Sequence, residues 1–342
     1  MDTIWWRSYS NPTFFESIIY YNLLNKLPDF KTYQQKSKKF LKIFIPYINF
    51  KWKNKIWEIV NQEKDINLVF FINIPLDQIT DIPSKIKEEF GIPSFYLEGD
   101  MPTILPKYSV GRGFKFNYYQ NADLSVFDIF YSNSIGVTND IKSMGAKKIE
   151  SLHYAVDPQF FQPLPTRKKF DISFFGYGSQ YREDWMEKLI TKPSNEMCRY
   201  KFAVAGGGFG ISLGNADLVG DISFDNYRLF CSQSRINLNI TRWSHTNVYG
   251  SSTARIFELA GFGCCIVSQP YNGMDEWFDP GREIFMIKND EEINELYNWL
   301  LDDEEIRIKS GMAARERVLK NHTYGHRAQQ IINNFNDLKD KT

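Results

Sequence analysis

The stretch from Ser251 to Gln269, SSTARIFELAGFGCCIVSQ, constrains the fold of this chain more than any other. Two serines and a threonine precede ARIFELAGF, so the pattern predicts a helix capped by hydroxyls, with Ile256, Leu259 and Ala260 along its apolar face. Gly261 and Gly263 predict its end, and Cys264-Cys265-Ile266-Val267 is too short for a second helix but suits a buried parallel strand. A helix that feeds straight into a buried strand is half of an α/β unit. Its N-terminal end, where backbone N–H groups lack partners, is suited to an anion.

The same alternation recurs on both sides. In the first half, apolar runs at Asn67–Asn73, Ser94–Asp100 and Phe127–Ser134 predict strands, with helices over Pro83–Phe90 and up to Met144. Residues 3–6 read as a first strand, and Asn11-Pro12-Thr13 opens a helix. Pro158, Pro163 and Pro165 with the basic run Arg167–Lys169 read as a linker, placing a boundary near residue 165. With 342 residues, the chain exceeds the roughly 250–300 at which one core stops growing, so two domains are expected. Strands at Phe170–Phe175, Tyr200–Ala205 and Arg235–Ile240, with helices between them, restart the pattern in the second half.

Several residues stand where such a fold exposes chemistry. Arg255 and Glu258 lie three apart near the start of the key helix. A guanidinium there can neutralise a diphosphate while a carboxylate one turn on accepts from sugar hydroxyls, or the two can simply form an intrahelical ion pair. Gly176 and Gly178 form a strand-to-helix turn whose backbone can approach a phosphate closely, and Arg182 follows at the next helix. GGGFG at Gly206–Gly210 does not complete a dinucleotide fingerprint, since the third glycine comes one position late. Arg242 and His245 occupy a polar loop after a strand, and Asp100 ends another, where open α/β sheets bind ligands. His322 and His326, four apart, have metal spacing, yet no local carboxylate or cysteine completes a set, and hydrogen bonding is the better reading.

Composition narrows the partners. Lys+Arg and Asp+Glu both number 41, which argues against a general nucleic-acid binder. The lysine-aromatic segment 31–55 is suited either to an anionic membrane surface or to packing on the core. Four cysteines without metal spacing read as core residues in a reducing compartment, and no apolar stretch approaches the ~20 residues of a spanning helix. A cytoplasmic protein, in places peripheral to the membrane, is expected.

Taken together, RIFELAGFGCCIVS, FDPGREIFMI and the terminal HTYGHRAQQII resemble the glycosyltransferases grouped with spore maturation proteins. GDMP, FDIFYSNS and LHYAVDPQFFQP match that group's first half more loosely. The resemblance implies a GT-B fold, two Rossmann-like domains facing a central cleft: an acceptor domain over 1–165, a nucleotide-sugar donor domain over 166–322, and a C-terminal helix, 323–342, crossing back. It implies that Glu258 binds the donor ribose, that N–H groups at Ser251 and Ser252 receive the diphosphate, and that Val219 to Ile222 hold the base. For an inverting reaction Asp100 is the candidate base; His245 is suited to binding phosphate or assisting at the transferred group, or is an incidental loop histidine. Related retaining enzymes carry a second glutamate eight positions upstream, where this chain has Gly250, so stereochemistry stays open. The expected activity is metal-independent transfer of a hexose from a nucleoside-diphosphate sugar to a hydroxyl-bearing acceptor, with no cofactor. An epimerase or hydrolase on the same fold, or a non-catalytic sugar-nucleotide or glycan-binding module, are the alternatives.

Overall fold

A computed structural model describes residues 46, 49–63, 65–105, 107–108, 119, 122–178 and 182–340. The expected first strand at 3–6, the helix after Asn11, most of the 31–55 segment and most of the Tyr108–Asn121 loop lie outside the described residues. Two compact units divide the chain. The smaller takes in Met1–Leu97, Lys115–Phe130 and Ile141–Ile149; the larger takes in Glu98–Phe114, Tyr131–Asp140 and Glu150–Thr342.

The first sheet has four strands in sequence order: β1 (Val69–Ile72), β2 (Ser94–Glu98), β3 (Ile129–Ser132) and β4 (Ile149–Ser151). β1 and β2 pair in parallel, joined through the Ile82–Phe90 helix, whose Gly91 C-cap adopts the left-handed conformation that ends a helix cheaply. At the described end of the basic-aromatic segment, Trp52 is buried and Phe50 is exposed.

The second sheet has six strands: β5 (Phe170–Tyr177), β6 (Phe202–Gly207), β7 (Asp217–Gly220), β8 (Ser234–Asn239), β9 (Ile266–Ser268) and β10 (Phe285–Met286). Their spatial order is β10-β9-β8-β5-β6-β7 and every pairing is parallel. Counted from β5, this is the doubly wound 3-2-1-4-5-6 order, which puts the topological switch between β5 and β8. Side chains alternate between two covered faces. Ile172, Phe174, Phe202, Val204, Ile236, Leu238 and Val267 enter one core; Ala203, Ala205 and Ile266 enter the other, with Ile256, Phe257 and Leu259 of the Ala254–Gly261 helix. Each large apolar side chain buried this way contributes roughly 1.5–3 kcal/mol.

The rejected fingerprint glycines have a steric task. Gly206 has φ of +111°, and a Cβ there would come within 1.8 Å of the Gly176 carbonyl oxygen. Only glycine lets the tips of β5 and β6 run that close.

Candidate active site

At the switch point, the carbonyl ends of β5 and β8 gather arginines. Arg182 donates from Nε to Ile240 O at 3.1 Å and from Nη1 to Tyr177 O and Gly178 O. Arg255 donates from Nη1 to the same Ile240 O at 2.8 Å, lies over the Phe174 ring and leaves its buried Nε without a partner. Burial, and then the charges of Arg255 and Arg242, push the Arg182 guanidinium down to about 9. Like charges crowded into a half-buried place need an anion to offset them. The intrahelical ion pair is absent among the described residues, because Arg255 turns to the strand end. Glu258 instead accepts from the Tyr227 hydroxyl at 3.1 Å, and burial raises its carboxyl above the usual range.

Asp100 follows β2 and belongs to the same compact unit as these arginines. Its Oδ2 accepts from Arg242 Nη1 at 2.7 Å; its Oδ1 accepts from His245 Nε2 at 2.6 Å and from Thr103 Oγ1 at 3.1 Å. Burial opposes the charge, but the hydrogen bond from His245, then the charge of Arg242 and the hydrogen bond from Thr103, outweigh it and hold the Asp100 carboxyl below the ordinary aspartate range. The carboxylate side chain keeps 40% of its surface exposed; that of His245 keeps 3%. The Asp100 carboxylate can meet a substrate, and the imidazole stands behind it.

The serines differ from expectation. The helix starts at Ala254 as the pattern predicts, with Thr253 as N-cap, but no hydroxyl caps it through its side chain. Ser251 and Ser252 are fully buried. The Ser252 N–H donates to Asn133 O at 2.8 Å, its hydroxyl bonds Asn133 O and accepts from the Tyr154 N–H, and the Ser251 hydroxyl lies 2.8 Å from His245 Nδ1. With the Ser252 amide spent, helix geometry leaves the N–H groups of Thr253 to Ile256 as the first turn's donors. Gly178 N–H is likewise spent, on Gly207 O at 2.9 Å. Val219 is exposed on the edge strand β7, and Ile222 packs on the core beside the Tyr227 cluster.

Gly250, in the place of the upstream glutamate, has φ of +56°, and a Cβ there would lie 2.7 Å from the Ile135 side chain. A glutamate does not fit without rebuilding that turn. His322 and His326 go separate ways: His322 Nδ1 accepts from Arg327, and His326 closes a capping box with Thr323. The residues that sequence reasoning missed are Thr103, Tyr227 and the hydroxyl of Ser251. Each lies far in sequence from its partner or has an unremarkable local pattern; only contact reveals it.

The chain has the GT-B architecture, and the solved structures that align with it include GT-B glycosyltransferases. HepE of Anabaena, solved with UDP and glucose, aligns at a TM-score of 0.60 and 12% identity, covering 82% of this chain and 80% of that one. Sucrose-phosphate synthase of Thermosynechococcus elongatus aligns at 0.62 and 12%, covering 84% and 77%. A glycosyltransferase of Rickettsia africae aligns at 0.58 and 10%, covering 87% and 83%. No curated protein matches the sequence. The profile of the glycosyl transferase-like family matches residues 159–333, just over half of the chain, and the protein belongs to that family.

Proposed function

We propose that the protein transfers a hexose from a nucleoside-diphosphate sugar to a hydroxyl-bearing acceptor, without a metal, and that it falls in the spore-maturation-like group its C-terminal motifs resemble. The observation that carries this reading is the convergence of Arg182 and Arg255 on Ile240 O, beside the Arg242–Asp100 pair. In this reading the arginines and the first-turn N–H groups of the Ala254–Gly261 helix receive the diphosphate, and Glu258 holds the ribose. As the bond between the anomeric carbon and the phosphate oxygen breaks, its electron pair leaves with the diphosphate, whose growing charge these groups stabilise. Asp100 takes the proton of the acceptor hydroxyl, whose oxygen forms the new bond to the anomeric carbon. Displacement of this kind inverts the anomeric centre, and the left-handed Gly250 turn, which has no room for a second glutamate, supports it.

Segment 31–55, whose Phe50 is exposed, remains our candidate for a peripheral membrane contact of a cytoplasmic enzyme. The test is thermal stabilisation by UDP, GDP, ADP, CDP and dTDP and their sugars, with EDTA present, in wild type and Arg255→Met. Saturable stabilisation by one nucleotide, weakened at least tenfold in the variant, is the expected result. A flat response to every nucleotide overturns the donor site.

A further inference from the structure

Asp100 offers a choice of two oxygens, and the surrounding hydrogen bonds have already made it. Oδ1 receives His245 Nε2 at 2.6 Å and Thr103 Oγ1 at 3.1 Å, so its lone pairs are taken. Among the described residues Oδ2 receives Arg242 Nη1 alone, at 2.7 Å, and keeps a lone pair. His245 is 2% exposed and Ser251 is fully buried, so neither meets a substrate. They nevertheless form a line behind the carboxylate, with Ser251 Oγ 2.8 Å from His245 Nδ1. For Nε2 to donate to Asp100 it must carry the hydrogen, and a hydroxyl donating to Nδ1 holds the ring in that tautomer.

From this geometry we propose that Ser251 and His245 are positioning residues that select Oδ2 of Asp100 as the atom accepting the acceptor's proton. The chain runs from Ser251 Oγ–H to His245 Nδ1, and from His245 Nε2–H to Asp100 Oδ1. Its order is the reverse of a hydrolytic triad: the carboxylate is the exposed member and the serine is the buried one. Ser251 thereby has a task other than diphosphate binding. Thr103 Oγ1, 3.0 Å from Ser244 Oγ and 3.4 Å from His245 Nε2, closes the other side of the site. The inference rests on Asp100 being the base proposed above.

The chain has four histidines, so its imidazole nitrogens are assignable by single substitution. Long-range ¹H–¹⁵N spectra of the full chain, labelled at histidine, read the tautomer without any turnover. We expect His245 to hold hydrogen on Nε2 with Nδ1 bare, and to sample both tautomers in Ser251→Ala. Hydrogen on Nδ1 in the wild type, or an unchanged tautomer in a folded Ser251→Ala, overturns the proposal; the wild-type spectrum decides even where the variant does not fold. The second readout is sugar release, with water as acceptor, from the nucleotide-sugar that stabilises the protein in the thermal panel. Ser251→Ala is expected to lower kcat about tenfold at unchanged KM and to shift the acid limb of the pH profile, with Ser251→Thr restoring both. Full turnover in Asp100→Asn instead removes the base reading itself. Loss in Asp100→Asn beside normal rate and profile in Ser251→Ala removes only the positioning role.

Discussion

Two histidine–arginine clusters sit in the larger unit, and they differ by one carboxylate. At the candidate active site, His245 and Arg242 both point at Asp100. At the other, Arg327 donates to His153 O at 2.7 Å, Tyr154 O at 3.1 Å, Asn321 O at 3.2 Å and His322 Nδ1 at 2.8 Å, and none of these partners is an acid. There burial, and then Arg327, push His153 down to about 4 and His322 to about 3. The first cluster is an arrangement of charge around a half-exposed acceptor. The second is a strap: it ties 153–154 to 321–322 where Val156 and Thr323 also pair, and it stays intact only while its imidazoles stay neutral. The same residue types surround an exposed acceptor or tie segments together according to whether an acid faces them.

Removing the carboxylate breaks the comparison most sharply. Asp100→Asn keeps the size of the side chain and an oxygen for His245 or Arg242 but not a base, so transfer should fall by about 10²–10⁴-fold, roughly 3–5.5 kcal/mol of barrier. Steady-state release of nucleoside diphosphate measures it, taken per folded molecule, because the amide NH2 left facing Arg242 or His245 also lowers the thermal midpoint. Arg327→Met is the counterpart at the strap. It strands three carbonyls and an imidazole nitrogen, and should cost about 2–4 kcal/mol in urea unfolding while leaving the turnover of the folded fraction intact. A large rate loss with unchanged stability in Arg327→Met would merge the two clusters into one functional site.

Much of this was legible in the sequence, and the reasons are physical. Parallel strands buried on both faces leave continuous apolar runs such as Cys264–Val267, and helix stops leave glycines, so the doubly wound second half could be read residue by residue. Arg182, Arg242, Arg255 and Asp100 could be singled out because strand and helix ends are where such sheets expose chemistry, and the structure brings them together. β4 was missed because a three-residue strand has too short a run to show a period. The spent N–H groups of Ser252 and Gly178 were also hidden: their acceptors, Asn133 and Gly207, come from distant segments, and no local pattern records a long-range hydrogen bond. A capping pattern states that a helix can begin, and tertiary contacts then decide which hydroxyls remain for it.

Acid should sharpen the contrast between strap and site. In the unfolded chain His153 and His322 bind a proton near pH ~6.5, whereas in the folded chain they do so only near 4 and 3. The unfolded state therefore takes up protons first as pH falls, and stability present above pH ~6.5 is lost progressively below it. Each histidine should contribute about 2 kcal/mol of loss by pH 5, seen as a falling denaturant midpoint. The double variant His153→Gln/His322→Gln should flatten that slope; an equally steep slope in the double variant would place the acid sensitivity elsewhere.

The smallest expected effect separates binding from stability at Glu258. Its carboxyl is raised by burial, with Arg255 and the Tyr227 hydroxyl only partly opposing, so the folded protein holds that proton to higher pH than the unfolded chain does. A raised acid contributes stability at low pH that is lost as pH rises, so at neutral pH the ionised group costs the free protein something. Glu258→Gln keeps an acceptor for Tyr227 and removes that cost; the free protein should be unchanged or slightly more stable. If Glu258 holds the donor ribose, the same variant should bind the donor about tenfold more weakly, since a hydrogen bond to a charged acceptor is lost. The two effects have opposite signs, and calorimetry on one sample reads both. Weaker binding with unchanged or higher stability marks a group kept for a ligand, the role proposed for Asp100; lower stability with unchanged binding would move Glu258 to the side of the strap, a residue retained for cohesion.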